Sequence, residues 1–332
     1  GTPQRNIFQG KFDVVSSAYL NNAAMTGNSS TAWYLLAGPV ILHAITGWTR
    51  SAPGRDHLAA LRPRRRLADA SEDQALYADL ISPRGSAEEP PPASPPDVRS
   101  LLERLRTDGG ALRGSELWQF RLLLDQAVAG VTWARKPRQL VRLPILLDGL
   151  SPLPALHREL SRALYPSGDL RDEASEDLAR IRKDLRSLRD RLSSQLERTV
   201  RGLSIPSSFV TLRDGRYVVA VPGGRPRDVP GMALGYSGSG ATIFVEPRDA
   251  AEANSQLSEL YLEELTESER ILRELTSGAH REREALGRNL DVLARLDAAQ
   301  GVAAWAGATG STLPELTEER SLRLTGARHP LL

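Results

Sequence analysis

Between residues 175 and 275 the chain carries two long stretches of helical periodicity, parted by a segment whose apolar residues recur at every second position. In the first stretch Leu178, Ile181, Leu185, Leu188, Leu192, Leu196 and Val200 follow at intervals of three and four, and Arg, Asp, Glu and Ser fill the rest. So narrow a seam buries one stripe and leaves the other sides wet, as in a coiled-coil rod. Ser175 stands where an N-cap belongs. The second stretch begins near Asp249, and Leu257, Tyr261, Leu265, Leu272 and Leu275 repeat the spacing. The two rods are therefore expected to pack on each other, with residues 205–247 inserted between them.

That insertion reads as strands. In FVTLRDGRYVVAV the Asp-Gly pair is the favoured two-residue hairpin turn. This register sets Arg213 opposite Arg216, Leu212 opposite Tyr217 and Val210 opposite Val219. One face is apolar, and the other presents two arginines side by side. Like charges directly opposite each other destabilise a hairpin, and only Asp214 of the turn offers an acidic neighbour. An anion held between the guanidiniums, most simply a phosphate, would relieve the repulsion. The alternative is that both side chains fan into water at little cost. GMALGY and ATIFVEP form a second strand pair turned by Ser-Gly-Ser-Gly, and Pro247 ends it.

GYSGSGAT at 235–242 imitates a phosphate-gripping P-loop, with Gly235, Gly240 and Thr242 in register but Ala241 in place of lysine. A P-loop also needs a helix directly behind it. Thr242, Ile243, Phe244 and Val245 are suited to a strand, so the stretch reads as a turn and not as a nucleotide site.

Elsewhere the pattern is helical. Pro39 to about Arg66 spaces Ile41, Ala44, Ile45, Leu58 and Leu61 for one face, and EEPPPASPPDV (88–98) is a proline-rich linker. Further helices are expected at 101–107, 115–131 and 151–164, the last with Ser151 as N-cap and Pro152 at its first position. The first 38 residues differ, being small, polar and Asn-rich, with KFDVVSSAYL alternating like a strand.

Across 332 residues the formal charge is only +2, which argues against wholesale coating of nucleic acid. The cations are almost all arginine, since Lys11, Lys136 and Lys183 are the only lysines. A local arginine site remains open, because guanidinium grips phosphate bidentately. Cysteine is absent, so disulfide and thiolate chemistry are excluded and a reducing, cytoplasmic setting fits. No signal peptide and no apolar run near 18 residues can be found. The five histidines are scattered without metal-ligand spacing, and no Ser-His-Asp set or carboxylate pair follows from spacing. Trp118, Trp133 and Trp305 read as core. His329 lies within the GARHPLL stretch (326–332).

Several stretches resemble one family. SAPGRDHLAALRP (51–63), GDLRDEASEDLARIR (168–182), VTLRDGRYVVAV (210–221), VPGMALGYSGSGATIFVEP (229–247), AEANSQLSEL after it and GARHPLL (326–332) are similar to the MutS family, in its bacterial second-paralogue branch. The resemblance covers roughly residues 39–332. It implies a mainly α fold with a small β-rich insertion: a helical core and two long antiparallel lever helices carrying an antiparallel β clamp. The implied divisions are an N-terminal helical core (39–150), first lever helices (151–204), the β clamp (205–247), a returning lever helix and core (248–310) and the start of an ATPase domain (311–332). Residues 1–38 are foreign to the family, and over a short stretch resemble a segment of tailed-phage major head proteins.

The family closes levers and clamps of a homodimer around DNA, branched or double-stranded, under the control of ATP and Mg in its ATPase domains. The branch also carries an endonuclease module and is associated with recombination suppression and with ribosome rescue, which would involve rRNA. Carried over by position, the nucleic-acid-binding candidates are Arg213, Arg216 and Tyr217 of the first hairpin, with Arg225 and Arg227 in the loop after it. No lysine P-loop occurs, so this chain is expected to be non-catalytic, with no cofactor of its own. A coiled-coil scaffold whose β tip binds protein, such as a ribosomal surface, is the alternative.

Overall fold

A computed structural model describes residues 38–64, 66–81, 91–107, 110–136, 139–203, 205–223, 228–319 and 323–328. The leader up to residue 37, Arg225, Arg227 and His329 therefore lie outside the described residues. The chain divides into two compact units, Gly1–Asp108 with Glu116–His157 and Gly278–Leu332, and Gly109–Ser115 with Arg158–Ser277. The described elements are mainly helical, with one four-stranded antiparallel sheet.

The first unit is built on helices α1 (Gly38–Thr46), α2 (Ala52–Ala59), α3 (Leu67–Ile81), α4 (Arg99–Arg104), α5 (Gly114–Ala134), α6 (Leu143–Asp148) and α10 (Arg283–Thr309), while α7 (Pro154–Ala163) belongs to the second unit from Arg158 onward. Helix α10 is buried on most of its faces, through Leu286, Leu290, Leu293, Leu296 and Ala298, and α1 to α4 and α6 pack on it. Ile45 and Leu58 meet Ala298, with Ile41, Leu61 and Trp305 beside them, so the apolar face expected over 39–66 exists but is broken into two helices.

The break is organised by a carboxylate. Asp297, 1% exposed, accepts hydrogen bonds from the backbone of Arg50 and Ser51, each at 2.9 Å, and from Ser51 Oγ at 2.6 Å. Ser51 Oγ in turn caps α2 at Gly54 N. A Cβ on Gly54 would stand 2.1 Å from Asp297 Oδ2, so only glycine admits this approach. Asp79 acts likewise at α6, accepting from the backbone of Val141, Arg142 and Leu143. The helix expected from Ser151 begins instead at Pro154. Asn289 takes both backbone groups of Ser151, and Leu153 adopts φ 44°, so the helix start moves two residues on.

In the second unit α8 (Glu176–Leu203) and α9 (Arg248–Arg281) run antiparallel, as their cross-links show: Ser175 to Glu267, Arg182 to Glu264 and Gln195 to Asp249. Ser175 Oγ accepts from Leu178 N at 3.0 Å, and Leu178, Ile181, Leu185, Leu188, Leu192 and Leu196 are all buried. Much of that seam packs on the sheet.

On α9 the pattern departs from expectation. Leu257 and Leu275 are buried, but Tyr261 and Leu265 are 42% and 57% exposed, and Leu262 beside them is 64% exposed. Glu264 and Glu267 take the inward places to meet Arg182 and Ser175, so this part of the helix pair is joined by charge and hydrogen bonds and the apolar side chains turn outward.

Strands β1 (Phe209–Arg213), β2 (Arg216–Pro222), β3 (Gly231–Tyr236) and β4 (Thr242–Pro247) form one sheet in the order β1-β2-β4-β3. The two expected hairpins are thus joined through β2 and β4. Val219, Val221, Ile243 and Val245 face the seam of α8. The P-loop imitation is a tight turn: Gly240 has φ 73°, its N–H donates to Ser237 O, and Ser237 N–H donates to Thr242 O.

Candidate nucleic-acid interface

The hairpin that carries the candidate arginines has the expected register, Arg213 opposite Arg216 and Leu212 opposite Tyr217. Asp214 and Gly215 take φ 48° and 77°, the left-handed pair that a type I′ turn requires. The alternation then fixes the faces. Phe209, Thr211, Arg213, Arg216, Val218 and Ala220 share one face of the β1–β2 ribbon, joined across β2 by Phe244 and Glu246. Val210, Tyr217, Val219 and Val221 share the other, which packs on α8.

The two arginines do not remain a free pair. Arg216 Nε donates to Glu246 Oε1 at 2.7 Å, and its Nη2 reaches Ser255 Oγ and the Ala251 carbonyl at the start of α9. Glu246 is only 7% exposed at its side chain and also accepts from Asn254 Nδ2 at 2.7 Å. Asn254 further holds both backbone groups of Tyr217. The expectation that no acid besides Asp214 relieves Arg216 is therefore corrected. Its partner comes from β4, whose edge-on pairing with β2 brings a carboxylate beside the turn. Glu246 thus serves as a buried counter-ion.

Arg213 stays available. Its side chain is 48% exposed, its closest acid is the solvated Asp214 at 3.5 Å, and its guanidinium lies 5.3 Å from the centre of the Phe244 ring. A cation over an aromatic face keeps its outward side free for another anion. On the same sheet face Phe209 is 53% exposed. Tyr217 points to the packed face, where its hydroxyl accepts from Arg189 Nε at 3.3 Å. Of the expected set, then, one arginine is presented, one is a structural ion pair, and Tyr217 helps to seat the hairpin.

The Asp214–Gly215 turn lies beside Arg189 and Ser255, and Arg189 precedes the end of α8 by about 21 Å at the helical rise. The turn at 237–241 is at the opposite end of the sheet, where Gly223 N–H donates to Ala241 O.

The sequence reading passed over a second basic feature. Arg191 and Arg198, both exposed on the solvent face of α8, donate to the carbonyls of Ser187 and Ser194, and Arg201 follows one turn later. None of the three is in an ion pair among the described residues. Their spacing of seven and three was the signal, since it sets them on one helical stripe away from the leucine seam. Among the described residues no group of His, Cys, Asp or Glu could hold a metal ion, and no helix is long and apolar enough to cross a membrane.

No family model matches the chain. Individual curated proteins do, and they share one name. An Endonuclease MutS2 of Thermomicrobium roseum is 34% identical over 252 residues, which are 72% of this chain and 30% of that protein. One from an Anaeromyxobacter species is 34% identical over 313 residues, 90% of this chain and 39% of the relative. One from Symbiobacterium thermophilum is 33% identical over 298 residues, 86% and 36% respectively. The chain thus spans between about three and four tenths of the length of these curated relatives. Over most of its own length, this chain is related to the MutS2 endonucleases.

Proposed function

We propose that the α8–sheet–α9 unit is a nucleic-acid-binding arm of a MutS2-like protein, the part that in the family's terms comprises lever and clamp, and that it carries no catalytic step itself. The observation that supports this most is Arg213: a half-exposed guanidinium at the turn end of the β1–β2 hairpin, with a solvated turn carboxylate beside it. Phe209 on that face offers a ring for an unpaired base, and Arg191, Arg198 and Arg201 supply further phosphate contacts. Such contacts hold backbone without reading sequence. ATP, Mg and strand cleavage belong, on this reading, to the rest of such a protein, and homodimerisation to its complete form.

The test is equilibrium binding of branched and duplex DNA by fluorescence anisotropy, comparing the chain with Arg213→Ala and with Arg191→Ala/Arg198→Ala. Weaker binding in both variants, with unchanged thermal midpoints, is the expected result. Affinity that is unaffected by all three substitutions contradicts the proposal.

One observation favours a second reading, a scaffold that docks protein such as a ribosomal surface. Tyr261, Leu262 and Leu265 form an exposed apolar stripe on α9, flanked by Glu259 and Glu263. Acidic borders repel a nucleic-acid backbone, so binding through this stripe would be insensitive to the arginine substitutions and sensitive to Leu262→Asp.

A further inference from the structure

The first unit contains a semi-enclosed cavity of about 350 Å³ between the end of α2, the chain after it, α3 and α10. Its size lies at the lower end of small-ligand pockets. Its charge is unbalanced. Asp73 is shared by two guanidiniums, Arg64 Nε at 2.6 Å and Arg295 Nη2 at 3.2 Å. A third, Arg62, also lines the cavity and donates to the carbonyls of Ala59 and Leu61, at 3.0 and 2.7 Å. Three permanent cations and one carboxylate therefore line the cavity, with the charges of Asp69 and Asp291 felt from outside its wall by Arg64 and His57.

The carbonyl anchors hold one nitrogen of the exposed Arg62 guanidinium, and no ion pair of Arg62 is formed among the described residues. Tyr77 and His57 add a hydroxyl and an imidazole to the wall, and Leu61, Leu76 and Ala298 make the remainder apolar. Burial, and then the Arg295 guanidinium, hold His57 below its usual range, so the ring is neutral at pH 7 and offers one N–H. Guanidiniums gathered around a concave, half-open wall are the donors that match a tetrahedral dianion.

We infer that this cavity binds the phosphoryl group of a small phosphorylated ligand, with Arg62, Arg64 and Arg295 on the phosphate and the apolar wall against the body of the molecule. It uses none of the sheet or α8 residues of the proposed arm, so the two assignments stand or fall separately.

The test is isothermal titration of the complete chain with pyrophosphate and with AMP, and competition by a short oligothymidylate. Saturable binding is expected, weakened about tenfold in Arg62→Ala and in Arg64→Gln, the loss of one charge-assisted hydrogen bond each. Arg62→Lys should restore part of it, and thermal midpoints show that each variant is folded. Displacement of AMP by the oligonucleotide would make a nucleic-acid backbone the source of the phosphate, and failure to displace would make it a free small molecule; either supports a phosphoryl site. No saturation at millimolar ligand, or equal affinity in folded Arg62→Ala and Arg64→Gln, would overturn it and leave the cluster as an internal ion network.

Discussion

Glu246 decides which hairpin arginine is free. Removing its partner leaves a carboxylate almost without solvent, so Arg216→Ala is predicted to destabilise the second unit by about 3 kcal/mol in chemical denaturation, as expected for breaking a buried pair. Arg213→Ala removes a half-exposed side chain whose only acid is solvated, and its midpoint should stay within about 0.5 kcal/mol of the parent's. A variant pair with the opposite ranking would mean that the roles are reversed. The register that sets these two residues opposite each other was legible, because an Asp-Gly turn and strict alternation fix it locally. The counter-ion was not, because it lies thirty residues on, upon a strand whose pairing with β2 no local pattern announces.

Between the two long helices, α8 was readable almost residue by residue and α9 was not. The seam of α8 is wholly aliphatic and sits on sheet and helix alike, so period and burial coincide. On α9 the spacing of Tyr261 and Leu265 is as regular, but Glu264 and Glu267 claim the inward positions because Arg182 and Ser175 await them there. A partner's polar groups, not the helix's own period, chose the buried face.

This joint has a pH signature. Hydrogen bonds, first from Arg270 and then from Ser175, pull the Glu267 carboxyl from 4.5 down to about 2. A depressed carboxylate stabilises the fold above its unfolded value, and that contribution drains away as pH falls from about 4.5 towards about 2. Thermal midpoints of the parent should therefore drop more steeply across that window than those of Glu267→Gln. Parallel curves would show that the carboxylate's pairing does not contribute.

At the scale of the molecule, helical class and a small antiparallel sheet were legible from composition of the periods, while the first unit's plan was less so. Helices α3 and α6 went unread: α3 has a weak apolar pattern, and α6 is short, with its start capped by Asp79 from a distant helix. Long-range acid caps of this kind fix the unit, and Asp297 is the extreme case, with three donors converging from 246 and 247 residues away. Asp297→Ala is predicted to cost about 3 kcal/mol, because it orphans buried backbone N–H groups as well as the α2 cap. Hydrogen exchange should localise the loss to the start of α2; uniform protection there would contradict the assignment.

Relatedness to the MutS2 endonucleases places this architecture in a family but leaves what the second unit grips to direct measurement. The most direct one is the salt dependence of duplex binding for the chain and for an Arg191→Ala/Arg198→Ala/Arg213→Ala variant. If these guanidiniums lie on phosphates, the slope of log affinity against log salt should shrink by about 2 to 3 in magnitude in the variant, close to 0.9 for each contact removed. Equal slopes for the two proteins would contradict a nucleic-acid arm built on these residues.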